Sequence, residues 1–159
     1  MSTTFEVREA VLSDIPVLVI HRKKMFEDIA FEEHTFYDPE KLSDMSFRYR
    51  TYLEDHMNTK SLRGKLITDN SKIVASGCVT LVEWIPSPLH SNTERAYIHS
   101  VYVEPDYRNL GLCTMLITAF CDELKSTGFF MVDLHASEAG MGVYERLGFR
   151  SDNSMRKNL

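Results

Sequence analysis

Residues 101–116, VYVEPDYRNLGLCTML, constrain the fold more than any other part of the chain. A β-branched and aromatic run ends at Pro105, and helical apolar spacing begins a few residues later. Leu112, Met115, Leu116, Ala119, Phe120 and Leu124 follow the i, i+3, i+4, i+7, i+8, i+12 pattern of one helix face, and Gly128 supplies a C-terminal stop. A strand, a tight link and a helix therefore follow one another here. Such a junction leaves unsatisfied backbone N–H groups near residues 109–113, at the positive end of the helix dipole. Gly111 permits close backbone approach and Arg108 adds a fixed positive charge, an arrangement suited to a phosphate. The same residues also suit a plain turn with a solvated arginine. The segment is not a P-loop, because it lacks the glycine pair and the following Lys-Ser/Thr.

The rest of the chain supplies a sheet and more helices. TFEVREA opens as a strand, after which Ser13 and Asp14 offer an N-cap and Pro16 suits a first helical turn. Ile15, Leu18, Val19, Phe26 and Ile29 share one helical face. A second helix begins near Pro39, with Leu42, Met45, Tyr49, Tyr52, Leu53 and His56 at helical spacing. From Gly64 the texture is that of a hairpin, two β-branched runs separated by Asp69, Asn70 and Ser71. IPSPLHSNTE reads as a loop and RAYIHSVYVEP as a strand. FFMVDLHA is a further strand, Ser137 a cap for the next helix, and Gly148 its end before a strand-like tail, FRSDNSMRKNL. The fold class is α/β with a mixed sheet, and residues 1–159 form a single domain.

A length of 159 residues fits one domain of roughly 100–200 residues, and 43% hydrophobic content is enough for a core. The net charge of −5 argues against broad binding to nucleic acid or to an anionic membrane, which requires a basic face. MSTTFEVREA has no signal-type apolar core, and IPVLVI is far shorter than the roughly 20 residues that span a bilayer, so a cytoplasmic protein is expected. Cys78, Cys113 and Cys121 are odd in number and lack C-x-x-C spacing, which indicates reduced thiols rather than a disulfide framework. The histidines show no metal-ligand spacing, so no metal is expected.

VYVEPDYRNLGLCTML, followed downstream by YERLGF, resembles the GNAT family of N-acetyltransferases. The family's cofactor motif is Q/R-x-x-G-x-G/A at a strand-to-helix junction. Arg108, Asn109, Leu110, Gly111, Leu112 and Cys113 match it, with Cys113 where glycine or alanine is usual. The resemblance implies acetyl-CoA as cosubstrate and an amine as acceptor. It implies two splayed strands, ending near Val103 and His135, with backbone groups of Val101 and Val103 binding the pantetheine. The backbone of residues 109–113 would hold the pyrophosphate with Arg108 close by. Ser137 stands where many relatives carry an asparagine. Tyr144 matches the family tyrosine that protonates the departing CoA thiolate. A homodimer is a further implication, since dimers are common in the family.

An alkyl ammonium near pKa ~10.4 must lose a proton before it attacks, at a cost of roughly 4–5 kcal/mol at pH 7. Glu83, His99 and Tyr97 are candidates for lowering that cost, and each also reads as an ordinary strand residue. FEDIAFEEHTFY, with Glu27, Asp28, Glu32 and Glu33 among four aromatics, suits either a wall for a cationic amine or a solvated helix end. A helix start can lower a thiol pKa, but Cys113 reads as a tolerated small residue that narrows the loop. Three activities stay open: a small-molecule N-acetyltransferase, a protein or peptide N-acetyltransferase, and a catalytically silent acyl-CoA-binding or interaction module.

Overall fold

The computed structural model describes residues 4–89 and 91–159. The start of the N-terminal segment and His90 of the two-proline loop lie outside the described residues. β1 is Phe5–Glu9, α1 Ile15–Glu32, α2 Pro39–Asn58, β2 Leu62–Asp69, β3 Lys72–Glu83 and β4 Glu94–Val103. α3 Leu112–Ser126, β5 Val132–Leu134 and α4 Glu138–Arg146 follow. The five strands form one sheet in the order β1-β2-β3-β4-β5, antiparallel except for the parallel β4–β5 pair. The expected mixed sheet is thus present.

Local chemistry explains where the elements begin. Pro16 stands in the first turn of α1, but Asp14 does not cap it with its side chain. The Asp14 carboxylate instead accepts from Val11 N–H at 2.8 Å and pairs with Arg8 at 2.8 Å, which ties α1 to β1. Asp38 caps α2 by accepting from Glu40 N–H at 2.9 Å, just ahead of Pro39. The β2–β3 hairpin closes at Asp69 and Lys72, with Asn70 in the left-handed region at φ 56°.

α1 and α2 cover one face of the sheet, where Ile15, Leu18, Tyr49, Leu53 and Leu66 form the core. α3 covers the other face with Leu112, Leu116, Ile117, Phe120 and Leu124. The buried stripe of α3 includes Ile117 and leaves Met115 turned outward, a small rotation from the face expected from spacing. Gly64 lies where a strand meets the segment leading into α1: a Cβ there would stand 2.8 Å from the Ala10 Cβ. Gly64→Ala is therefore expected to cost about 1–3 kcal/mol through overpacking, read as a lower denaturation midpoint. An unchanged midpoint would show that the Ala10 segment yields freely.

One sequence expectation fails and another is borne out over a shorter range. The tail after Phe149 forms no strand. It is polar and exposed, so strand formation there would bury too little apolar surface to offset the ordering of its backbone. FFMVDLHA contributes only the three residues of β5: Phe129 packs into the α3-side core, while Phe130 and Met131 remain exposed.

Candidate functional site

β4 and β5 pair at Ala96–Val132, Tyr97–Asp133 and Ile98–Leu134, and there the pairing stops. β4 runs on to Val103, so the β5-side edge of residues 99–103 has no strand partner. The two strands that part are the ones the family resemblance implied, and they separate beyond Ile98 and Leu134. On its other edge β4 carries an irregularity: Cys78 pairs with His99, Ser76 with Tyr102, and Ser100 adopts φ 56°. This is a β-bulge, one extra residue in β4 opposite Gly77. Gly77 suits the position, because a Cβ there would lie 3.1 Å from the Phe120 ring and 3.4 Å from the Val101 side chain.

The gap opens into a cavity of about 1010 Å³ walled by α1, α2, β3, β4, the start of α3 and α4. Val101, Val103, Arg108, Asn109, Gly111, Leu112, Cys113, Ser137 and Tyr144 all line it. Leu110 is exposed and does not. Asn109 and Gly111 both sit in the left-handed region, at φ 61° and 80°, which turns the chain sharply into α3. The first N–H groups of α3 have no helical partner at this end. Arg108 stands beside them, its Nη2 2.5 Å from Asp28 of α1 and its Nε donating to the Val103 carbonyl at 3.1 Å.

Ser137 caps α4, its Oγ accepting from Gly140 N–H at 3.2 Å. Gly140 lets the Tyr144 ring approach: a Cβ there would sit 3.1 Å from it. Tyr144 packs edge-on against Phe149 at 5.8 Å, with the Cys113 thiol near its hydroxyl. Burial, reinforced by the Cys113 sulfur, raises the Tyr144 pKa well above that of an ordinary phenol. The Cys113 thiol is likewise pushed up by burial, the nearby Tyr144 hydroxyl opposing the shift only in part. Desolvation thus decides the Cys113 pKa despite its place at a helix start, in keeping with a tolerated small residue.

At the other end of the cavity lies a polar network that the sequence reading missed. Ser100 Oγ accepts from Arg22 Nη1 at 2.7 Å and from Tyr49 OH at 3.0 Å, and lies 2.9 Å from His99 Nδ1. With both acceptor positions used, the Ser100 proton goes to Nδ1. Nε2 then carries the imidazole proton and donates to Thr80 Oγ1 at 2.8 Å, which also receives Tyr52 OH at 3.0 Å. Burial, followed by the nearby Arg22 charge, pushes the His99 pKa down to about 3. His99 is a neutral link, too weak a base to deprotonate an ammonium. Glu83 is exposed, paired opposite Glu94 and outside the cavity wall. Tyr97 lines the cavity with its hydroxyl bonded to His135 Nδ1, and burial raises its pKa.

Of the two readings of the acidic stretch, each holds for part of it. Asp28 and Glu32, four residues apart, face the cavity, and Asp28 is held by Arg108. Glu27 turns toward Lys23 at 3.7 Å, and Glu33 ends the helix in solvent. A signal for Arg22 was present in the sequence: it falls on the apolar stripe of Ile15, Leu18, Phe26 and Ile29, an unusual place for a charge. Among the described residues no group of three His, Cys, Asp or Glu side chains is arranged to hold a metal ion, and no helix is long and apolar enough to cross a membrane.

Residues 24–149 match the GNAT acetyltransferase family. The chain belongs to that family. Its members transfer the acetyl group of acetyl-CoA, so the enzyme class follows from membership. The whole chain is similar to a GNAT N-acetyltransferase from Ralstonia eutropha JMP134, at 26% identity and TM-score 0.88, covering 98% of this chain and 99% of that one. An acetyltransferase from Clostridium acetobutylicum solved with acetyl-CoA shares the fold at TM-score 0.87 and 22% identity, covering 98% and 96%. A glucosamine 6-phosphate N-acetyltransferase of Trypanosoma brucei brucei is 41% identical over 64 residues. That match spans 40% of this chain and 44% of the relative's length.

Proposed function

We propose that this GNAT protein transfers the acetyl group of acetyl-CoA directly to the primary amine of a small molecule. The observation that carries the reading is the parting of β4 from β5 beyond Ile98 and Leu134, in the same cavity as the α3 N-terminus and Tyr144. The residues present fit the cosubstrate. The unpaired β4 edge at Val101 and Val103 matches the amides of a pantetheine arm. The backbone of residues 109–113 and the Arg108 guanidinium match a pyrophosphate, with Leu110 contributing backbone alone and Cys113 closing the turn. Ser137, engaged with Gly140 N–H, faces the same arm from α4.

Acetyl-CoA supplies the activated acyl carbon and a thiolate leaving group. Tyr144 holds its proton across the physiological range and donates it to the sulfur as the carbon–sulfur bond breaks. The proton released by the attacking amine balances the one that Tyr144 gives up. Phe26, Tyr49 and Tyr52 shape the acceptor end as a pocket of aromatic rings. The kinship with an amino-sugar phosphate acetyltransferase supports a small acceptor. A dimer and a cytoplasmic location are parts of the same proposal.

Calorimetric titration with acetyl-CoA tests it. Arg108→Ala is expected to weaken binding by about tenfold or more, the usual scale for losing a hydrogen bond to a charged group. A folded protein that does not bind acetyl-CoA would overturn the reading. Unchanged affinity in the variant would move the pyrophosphate away from Arg108.

A further inference from the structure

Arg22 has no function in acetyl transfer as described above, yet its setting is costly. Its guanidinium carbon lies 4.6 Å from the Tyr49 ring centroid and 5.1 Å from that of Phe26. Nη1 donates to Ser100, and Nε is buried without a hydrogen-bond partner. Among the described residues, no carboxylate lies within ion-pairing distance of it. Asp28 is taken by Arg108, and Glu32 lies about 15 Å further along the α1 axis at 1.5 Å per residue. A half-buried cation is thus surrounded by rings and hydroxyls that stabilise it only in part.

This charge belongs to the acceptor end rather than the phosphate cradle. Arg22 is about 9 Å along α1 from the aspartate that holds Arg108, by the same helical rise. It touches Tyr49 and Ser100, which connect through hydrogen bonds to His99, Thr80 and Tyr52 on the same cavity wall. The network fixes the side chain in place: with Nη1 committed to Ser100 and the guanidinium carbon over the Tyr49 ring, the guanidinium is preorganised for a planar or tetrahedral oxyanion.

We infer that the acceptor carries an anionic group, a carboxylate or a phosphate ester, beside its amine, and that Arg22 is the residue that holds it. The inference rests on reading the cavity as an N-acetyltransferase site. It replaces the cationic acceptor suggested by the acidic stretch of α1 with one that is zwitterionic. Arg22 selects by leaving its charge uncompensated when a neutral analogue binds, an asymmetry that discriminates more strongly than a missing apolar contact.

Two measurements test it. In the first, CoA-saturated protein labelled with nitrogen-15 is titrated with inorganic phosphate and, separately, with acetate. The Arg22 Nε–H resonance, assigned by its loss in Arg22→Lys, is expected to move saturably with at least one of them, and the better ligand tells phosphate from carboxylate. No movement with either anion overturns the inference. Failure of CoA to saturate the protein is a separate result that strikes the acetyltransferase reading.

In the second, glucosamine is compared with glucosamine 6-phosphate, and phenylethylamine with phenylalanine, as acceptors. The anionic member of a productive pair is expected to have a kcat/KM at least about tenfold higher, and Arg22→Gln to erase that preference while the acetyl-CoA Kd changes by less than about twofold. A preference that survives the substitution, or a loss confined to acetyl-CoA affinity, overturns it. If neither pair is turned over, the resonance titration decides alone.

Discussion

Tyr144→Phe is expected to lower kcat by about 10²–10³-fold, within the range for loss of a positioned general acid, and to leave the acetyl-CoA Kd unchanged. Phenylalanine keeps the ring that packs on Phe149 and over Gly140, so the fold and cavity shape survive. Only the hydroxyl is lost. A CoA thiolate then leaves without a proton donor, although a thiol with an ordinary pKa of about 8.5 departs more easily when protonated. The readout is steady-state kinetics with thiol detection, next to calorimetry on the same sample. Undiminished turnover would remove Tyr144 from the chemistry and leave it a packing residue of α4.

Acid is expected to destabilise the protein well before its carboxylates titrate. His99 has a folded pKa near 3 against about 6.5 in an unfolded chain, and burial lowers His21 as well. As pH falls below 6.5, the unfolded chain takes up protons that the folded protein refuses, so unfolding becomes easier. Each refused proton lowers the unfolding free energy by about 1.4 kcal/mol per pH unit. Asp14, Glu104 and Glu123 have lowered folded pKa values, so their contributions are present above the usual carboxylate pKa and are lost only at lower pH. The window between roughly pH 6.5 and 5 therefore reports the buried histidines. Urea denaturation across it should show the slope, and His99→Gln should remove about one proton's share. An identical slope in the variant would mean that His99 protonates freely in the folded protein.

Helices with a one-sided apolar stripe, the Asn-Ser hairpin turn and the strand-to-helix junction were legible because each is written in contiguous residues. So was the family, through the residues around Arg108 and Tyr144. The acceptor end was not legible, because Arg22, Tyr49, Thr80 and Ser100 come from four elements and meet only in the fold. Spacing can place His99 on a strand, but it cannot show that Arg22 and burial make it a poor base. The acidic run of α1 stayed open to two readings for a related reason: composition counts four carboxylates, while helix geometry presents two of them to the cavity and gives one of those to Arg108.

The bulge at Ser100 divides β4 into two half-strands of opposite phase. Before it, Ala96 and Ile98 face α3; after it, Val101 and Val103 do, while His99 and Ser100 turn together toward α1 and α2. The reading frame of the strand thus shifts by one residue at the point where the cavity needs two neighbouring polar side chains on the same face. Deleting Ser100 would restore simple alternation with both valines still in the α3 core and Tyr102 still opposite it, whereas straightening the bulge without a deletion would invert the far half. Descendants of this chain can vary the side chains at 99 and 100 one by one to change what the pocket accepts, but a chain one residue shorter between Ile98 and Val101 would present a single polar side chain there instead of two.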